Sequence, residues 1–146
     1  MKKIRLKAMA KINLGLDVVR KREDGYHEVR MIMQTIRMYD QIELEPTGAP
    51  GIRVSTNLNY LPTNEDNLVY KAAKLLMDEF DVKKGLNIGL RKFIPVAAGM
   101  AGGSSDAAAV MVGVNRLFHL NLSQKELMER GVKIGADVPY CILRGT

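Results

Sequence analysis

Apolar and polar residues alternate with a period of two along the first part of the chain, which is the pattern of half-buried β-strands. The alternation runs from Ile4 to Val18 with one short break. Asp24-Gly25 follows it in a polar segment whose residues tolerate positive φ, and this favours a hairpin turn. Further strands are predicted over residues 29–36, 41–44, 52–54 and 86–90.

Helical patterns dominate the second part of the chain. The last of them opens with Ser123 and Glu126 at the spacing of a capping box, a sequence typical of helix starts. Residues 137–146 are predicted as a strand followed by a Gly-Thr turn, with Cys141 as a small apolar residue near that strand. The predicted helices cover 67–80, 107–112 and 123–131, and the whole pattern is that of an α+β domain.

The segment before the second helix is dense in small residues, with three glycines and two serines within residues 99–105. Glycine lets an anion approach the backbone, and a helix N-terminus offers it N–H groups, so the segment predicts phosphate binding. The Lys-Ser/Thr pair of a Walker A loop is missing after Gly103, and the dinucleotide-binding glycine spacing is not met. A tight turn with Ser104 as N-cap and Asp106 in the first helical turn explains the same residues.

Composition narrows the class of protein. The 146 residues are enough for one domain with a real core, and 47% hydrophobic with 26% charged residues is typical of a globular protein. No apolar run approaches the ~18 residues of a membrane span, and the basic N-terminus lacks the apolar region of a secretory signal. The single cysteine fits a reducing cytoplasm. A net charge of +6 favours anionic partners, but 5% aromatic residues and no long basic block argue against nucleic acid.

Four segments together resemble the N-terminal half of the 4-diphosphocytidyl-2-C-methyl-D-erythritol kinases, within the galactokinase, homoserine kinase, mevalonate kinase and phosphomevalonate kinase (GHMP) superfamily. They are Ala-Lys-Ile-Asn-Leu at 10–14, Asp-Gly-Tyr-His-Glu at 24–28, the glycine-rich 95–105 and Gly-Ala-Asp-Val-Pro at 135–139. The resemblance implies a GHMP-kinase N-terminal domain over 1–146, with the family's C-terminal domain absent. It also implies a mixed sheet with helices packed on one face, related in outline to a domain of a ribosomal protein.

The resemblance implies ATP-dependent phosphorylation of the 2-hydroxyl of 4-diphosphocytidyl-2-C-methyl-D-erythritol, in the non-mevalonate route to isoprenoids. Lys11 matches the family's active-site lysine and Asp137 its general base. Their chemistry suits the reaction, because a carboxylate can take the alcohol's proton and an ammonium can keep that carboxylate ionised. We expect this activity to be impaired in a chain without the second half.

The resemblance also implies binding roles. Tyr26 would stack on the cytosine, His27 would hydrogen-bond the polar edge of that base, and Asn13 would lie near the substrate. No cluster of carboxylates or histidines has the spacing of a metal site, so we expect Mg²⁺ to be held mainly by ATP phosphates and water. The predicted ATP-binding residues are Pro95, Val96, Ala97, Ala98, Gly99, Met100, Ala101, Gly102, Gly103, Ser104 and Ser105, with Asn67 and Lys92 near the adenine.

Two alternatives from other functional classes stay open on the sequence. One is a nucleotide- or phosphate-binding module that does no chemistry. The other is a small RNA-binding domain, suggested by the positive charge and by the fold analogy alone. The preferred prediction is a cytoplasmic kinase with ATP and a small molecule as its partners, without nucleic acid or membrane.

Overall fold

The structure is a computed structural model, which describes residues 3–9, 39–58, 61–93 and 102–145. Within these ranges the chain forms four strands and four helices. The predicted hairpin turn, the strand over 29–36 and the later half of the first alternation lie outside the described residues. The elements are β1 (Ile4–Met9), β2 (Tyr39–Thr47), β3 (Ile52–Thr56), α1 (Leu68–Glu79), β4 (Gly85–Arg91), α2 (Gly102–Leu117), α3 (Gln124–Gly131) and α4 (Val138–Gly145).

The four strands form one mixed sheet in the order β1-β2-β4-β3. β2 is antiparallel to both of its neighbours, whereas β3 and β4 run parallel and are connected through α1. Alternate residues of β2 and β4 are buried, including the paired Ile42 and Leu90, so one face of the sheet is covered and the other is open. The sequence prediction of an α+β fold with a mixed sheet is confirmed.

Helix α2 packs closely against the covered face. A Cβ atom at Gly113 would lie 2.5 Å from Leu44 Cδ1 and 2.8 Å from Leu6 Cδ1, so this approach requires glycine. None of the helices in the described part of the chain is both long and apolar enough to cross a bilayer. The fully buried apolar residues of α2 are Ala107, Ala108, Ala109, Val110, Met111 and Val114.

Two helix starts follow their local sequence signals. The Asn67 side chain caps α1, where Oδ1 accepts a hydrogen bond of 3.0 Å from the Val69 backbone N–H. The Ser123 hydroxyl accepts from the Glu126 backbone N–H, and the Glu126 carboxylate accepts from the Ser123 N–H, which completes the capping box of α3. Both predicted starts are confirmed.

The predicted strand near the end of the chain is wrong, because residues 138–145 form α4. Val138, Cys141 and Ile142 are buried, and their spacing of three and four residues forms one apolar helical face. Pro139 lies in the first turn, where a helix does not use the backbone N–H that proline lacks. Cys141 is therefore a buried residue of a helix and not of a strand.

The interpretation of Ser104 as the N-cap of the second helix is also wrong. Helix α2 already begins at Gly102, which puts Ser104 inside its first turn and Asp106 in its second. Gly102 and Gly103, the last two glycines of the small-residue segment, are thus helical residues of α2.

Candidate active site

A buried cluster of three charged side chains lies where β4 ends and α2 begins. The Lys92 ammonium is 2.8 Å from Asp40 Oδ2 and 2.8 Å from Asp106 Oδ2. The three side chains are only 6%, 0% and 2% exposed, respectively. The cluster therefore joins β2, the end of β4 and α2 inside the core.

Strand register explains how Asp40 and Lys92 meet. Gln41 pairs with Arg91 across the antiparallel β2 and β4, and the next pair outward in that register is Asp40 and Lys92. Both residues continue the alternate positions that face the helices, so their side chains point into the covered layer. Asp106 reaches the same ammonium from α2.

Hydrogen bonds to the backbone hold the strand side of this cluster. The Phe93 N–H donates to Asp40 Oδ1 at 2.7 Å. The Asn57 side-chain amide donates to the Lys92 carbonyl at 3.2 Å, and its oxygen accepts from the Lys92 N–H at 2.8 Å. The Asn57 side chain thus makes the pair of hydrogen bonds that a backbone peptide of β3 would make to β4. Lys92 is therefore fixed through its backbone as well as its side chain.

The two carboxyl groups have different surroundings. Burial raises the pKa of Asp106 well above its ordinary value, and the nearby Asp40 raises it further, while Lys92 opposes the shift. Asp106 Oδ1 has no hydrogen-bond partner within the described residues, whereas both oxygens of Asp40 accept hydrogen bonds. Burial lowers the pKa of Lys92, but Asp106 and Asp40 outweigh it and the net pKa is raised. Asp106 therefore takes up a proton more readily than an ordinary aspartic acid.

Three helix N-termini meet beside this cluster. A Cβ atom at Gly103 would lie 3.4 Å from Leu68 Cδ1, so the first turn of α2 touches the start of α1 next to Asn67. The Ser105 hydroxyl lies 3.5 Å from the Cys141 sulfur, which joins the start of α2 to the first turn of α4. The start of α2 thus contacts α1 beside Asn67 and α4 at Cys141, and its Asp106 pairs with Lys92.

Asp137 lies immediately before α4, one helical turn from Cys141, whose N–H donates to the Asp137 carbonyl at 3.1 Å. Its side chain is exposed. The predicted general base therefore lies at the N-terminus of a helix that packs on the start of α2, and the positive end of a helix dipole favours a carboxylate there.

The two serines of the predicted phosphate site have different environments. Ser105 is 3% exposed and its hydroxyl faces Cys141, whereas Ser104 is half-buried. Asn67 uses Oδ1 for its helix cap, and its Nδ2 donates to the Pro62 carbonyl at 2.9 Å. The polar atoms of the Asn67 and Lys92 side chains are therefore occupied by the protein itself.

Several predicted site residues lie outside the described residues. These are Lys11, Asn13, Tyr26, His27, Pro95, Val96, Ala97, Ala98, Gly99, Met100 and Ala101.

The part of the chain that the structure describes holds no group of three His, Cys, Asp or Glu side chains suited to a metal ion. The small first turn of α2, with Gly103 exposed, fits an approaching phosphate.

Asp40 and Asp106 are the residues of this cluster that sequence reasoning missed. A signal was present, because Asp40 shares the alternation of Ile42 and Leu44 in β2, and Lys92 shares that of Leu90 in β4. Polar residues at covered positions of adjacent strands indicate a buried pair.

The family model of the GHMP kinase N-terminal domain ("GHMP kinases N terminal domain") matches residues 67–145, which is more than half of the chain. The chain belongs to the GHMP kinase family. The matched range begins at Asn67 and includes β4 and the three helices whose N-termini form the candidate site.

Two relatives of high sequence identity share one name within this family. The chain is 63% identical over 143 residues to 4-diphosphocytidyl-2-C-methyl-D-erythritol kinase from Lachnoclostridium phytofermentans, covering 98% of this chain and 49% of that protein. It is 57% identical to the kinase of the same name from Clostridium perfringens, covering 98% of this chain and 50% of that protein. The chain thus spans about half the length of the curated relatives it matches.

A solved structure gives the same result. A crystal structure of 4-(cytidine 5'-diphospho)-2C-methyl-D-erythritol kinase matches with a TM-score of 0.71 and 32% identity, over 96% of this chain and 49% of that one. Together with the sequence relatives, it confirms the predicted resemblance to the N-terminal half of these kinases.

Proposed function

We propose that this chain carries the nucleotide-binding and catalytic half of a kinase that phosphorylates the 2-hydroxyl of 4-diphosphocytidyl-2-C-methyl-D-erythritol with ATP. The observation that carries the proposal is the meeting of three helix N-termini, which groups Asn67, residues 102–105 and Asp137. The names of the relatives at 63% and 57% identity support the choice of substrate.

In the proposed reaction Asp137 accepts the proton of the 2-hydroxyl as its oxygen forms a bond to the γ-phosphorus, and the bond to ADP breaks. The position of Asp137 before α4 keeps its carboxylate exposed, where a hydroxyl can reach it. Lys11 is the proposed second catalytic group, and its ammonium would balance charge on the transferred phosphoryl group.

ATP would bind over the start of α2, with the glycine-rich residues 95–103 around its phosphates and Mg²⁺ held between phosphate oxygens and water. Ser104 is the better candidate for a phosphate contact, because the Ser105 hydroxyl is buried against Cys141. Asn67 would lie beside the adenine without hydrogen-bonding it through its side chain, because that amide already caps α1 and bonds the Pro62 carbonyl.

Tyr26, His27 and Asn13 are the proposed readers of the cytidine-linked substrate. An aromatic ring can stack on cytosine, and an imidazole can donate to or accept from the base edge. The proposed setting is the cytoplasm, with ATP and this small molecule as partners and without nucleic acid.

The test is ADP release from Mg-ATP with and without the substrate, for the unmodified chain and for Asp137→Asn. Asp78→Asn is the matched control, because Asp78 is an exposed acid on α1 that pairs with Lys74. We expect substrate-dependent release that Asp137→Asn lowers by about 10³-fold or more, and that the control leaves unchanged.

Because the chain matches half of its relatives, the assay is run a second time with the C-terminal half of the Lachnoclostridium phytofermentans kinase added in trans. Turnover only in this second arm would support the proposed chemistry and show that the other half completes the site. ATP binding without turnover in either arm would contradict the proposal and favour the non-catalytic module. RNA binding that weakens steeply with salt would favour the small RNA-binding domain.

A further inference from the structure

The buried cluster joins the residues that precede the glycine-rich segment to those that follow it. Lys92 precedes that segment and Asp106 follows it, and their ion pair joins residues 14 apart in sequence. Asp40 connects the same ammonium to β2, and Asn57 connects the Lys92 backbone to β3. The entry to the segment is thereby fixed to the sheet, and its exit is fixed to the same point.

We propose that Lys92, Asp40 and Asp106 form a clasp that positions the first turns of α2 and so sets nucleotide affinity without contacting the nucleotide. Lys92 is then a positioning residue. This inference rests on the proposed function, because it assumes that the start of α2 receives the phosphates of ATP.

The contacts favour positioning over direct binding. The Lys92 ammonium already has two carboxylate partners at 2.8 Å and its side chain is 6% exposed, so two of its three N–H donors are used inside the core. Its backbone N–H and carbonyl are engaged by Asn57. Asp106 is one residue beyond the buried Ser105, so the clasp acts on the turn that carries Gly103 and Ser104.

Fixing the start of α2 before a ligand arrives lowers the conformational cost of binding that ligand. Small displacements of binding groups also have large effects on function. Truncating Lys92 or Asp106 should therefore weaken binding even though no direct contact is removed.

The two models predict different results for one substitution. If the charges acted directly on the nucleotide, Asp106→Ala would leave anion binding unchanged or strengthen it, because it removes an acid near the site. If the clasp positions α2, Asp106→Ala weakens binding in the same direction as Lys92→Met. Asp106→Asn keeps the shape and an acceptor oxygen for Lys92, so it should recover most of the loss.

The experiment measures the dissociation constants of ADP and ATP by fluorescence with a labelled analogue, at a temperature well below the unfolding transition. The thermal midpoint of each variant is measured separately. We expect Asp106→Ala and Lys92→Met each to weaken both nucleotides by about tenfold. Glu43→Ala is the control, because Glu43 forms an exposed ion pair with Arg5 on the open face. It should leave both constants unchanged.

Tighter binding by Asp106→Ala, or a lowered thermal midpoint with unchanged constants, would overturn the clasp and leave the proposed function standing. If Lys92→Met does not fold, Lys92→Arg gives the same comparison, because it keeps the charge but not the single ammonium shared at 2.8 Å. An unmodified chain that binds no nucleotide, even with the C-terminal half of the Lachnoclostridium phytofermentans kinase added, would overturn both the clasp and the proposed function.

Discussion

The two faces of the sheet carry similar ion pairs in opposite surroundings. On the open face, Glu43 accepts from Arg5 at 2.9 Å and lies 3.2 Å from Lys3, and these side chains are 39% to 80% exposed. On the covered face, Lys92 pairs with Asp40 and Asp106 among buried groups. Water solvates the open pairs whether or not they form, whereas each covered charge depends on its partners. Nearly equal distances therefore correspond to unequal energetic roles.

The largest expected difference between the faces comes from removing the buried ammonium. Lys92→Met removes the ammonium that two buried carboxyl groups share, and we expect it to lower the free energy of unfolding by about 3–5 kcal/mol. Lys74→Met is the matched control, because Lys74 pairs with Asp78 on an exposed surface. Urea denaturation of both variants measures the difference, and equal losses would remove the distinction between buried and exposed pairs.

Packing should produce a smaller difference in the free energy of unfolding between the two faces. Gly113→Ala places a methyl group against Leu44 and Leu6, so we expect a loss of about 1–2 kcal/mol in the free energy of unfolding. Gly89→Ala adds a methyl group on the open face, 3.6 Å from Glu43 Cβ, which is an ordinary contact. The same denaturation curves should show Gly89→Ala to be neutral or slightly stabilising. A destabilising Gly89→Ala paired with a harmless Gly113→Ala would contradict this assignment of faces.

The pH dependence of stability should differ in sign between the faces. The pKa of Asp106 is raised by burial, so the folded chain holds a proton that the unfolded chain releases above its ordinary pKa of 3.8. Stability contributed by this group therefore falls as pH rises from near 3.8 through the folded value. Asp106→Asn should flatten that part of the profile, as measured by urea midpoints across pH. An unchanged slope in this variant would show that Asp106 ionises normally.

The smallest effect is expected at Glu43, where hydrogen bonds from Lys3 and Arg5 lower the pKa below its ordinary value of 4.5. Its contribution is present above that value and is lost as pH falls through the folded pKa, the reverse of Asp106. Glu43→Gln should leave the urea midpoint at neutral pH almost unchanged, because both partners stay solvated. A loss comparable to that of Lys92→Met would overturn the comparison of the two faces.

Local signals predicted most of the described fold correctly. Asn67 and Ser123 mark helix starts through side chains that bond to N–H groups two or three residues away, so a short stretch of sequence contains the whole interaction. The end of the chain failed because β-branched and aromatic residues around Pro139 resemble a strand. The burial of Val138, Cys141 and Ile142 against other elements decides for the helix.

The candidate site depended on information that is not local. Asp40 and Lys92 are 52 residues apart in sequence. Each is a charged residue of a type that usually lies on the surface. Only the pairing register of β2 and β4 makes them neighbours. The grouping of Asn67, residues 102–105 and Asp137 likewise arises from the packing of three helices, which resemblance could suggest but periodicity could not.

The contact between Ser105 and Cys141 has a practical consequence. Cys141 is the single cysteine of the chain and is 6% exposed, because it packs at the start of α2. A thiol reagent can modify it only when α4 separates from α2, so its labelling rate reports how often that contact opens. The chain therefore contains a natural reporter of opening at the start of α2, which can be read without adding a probe.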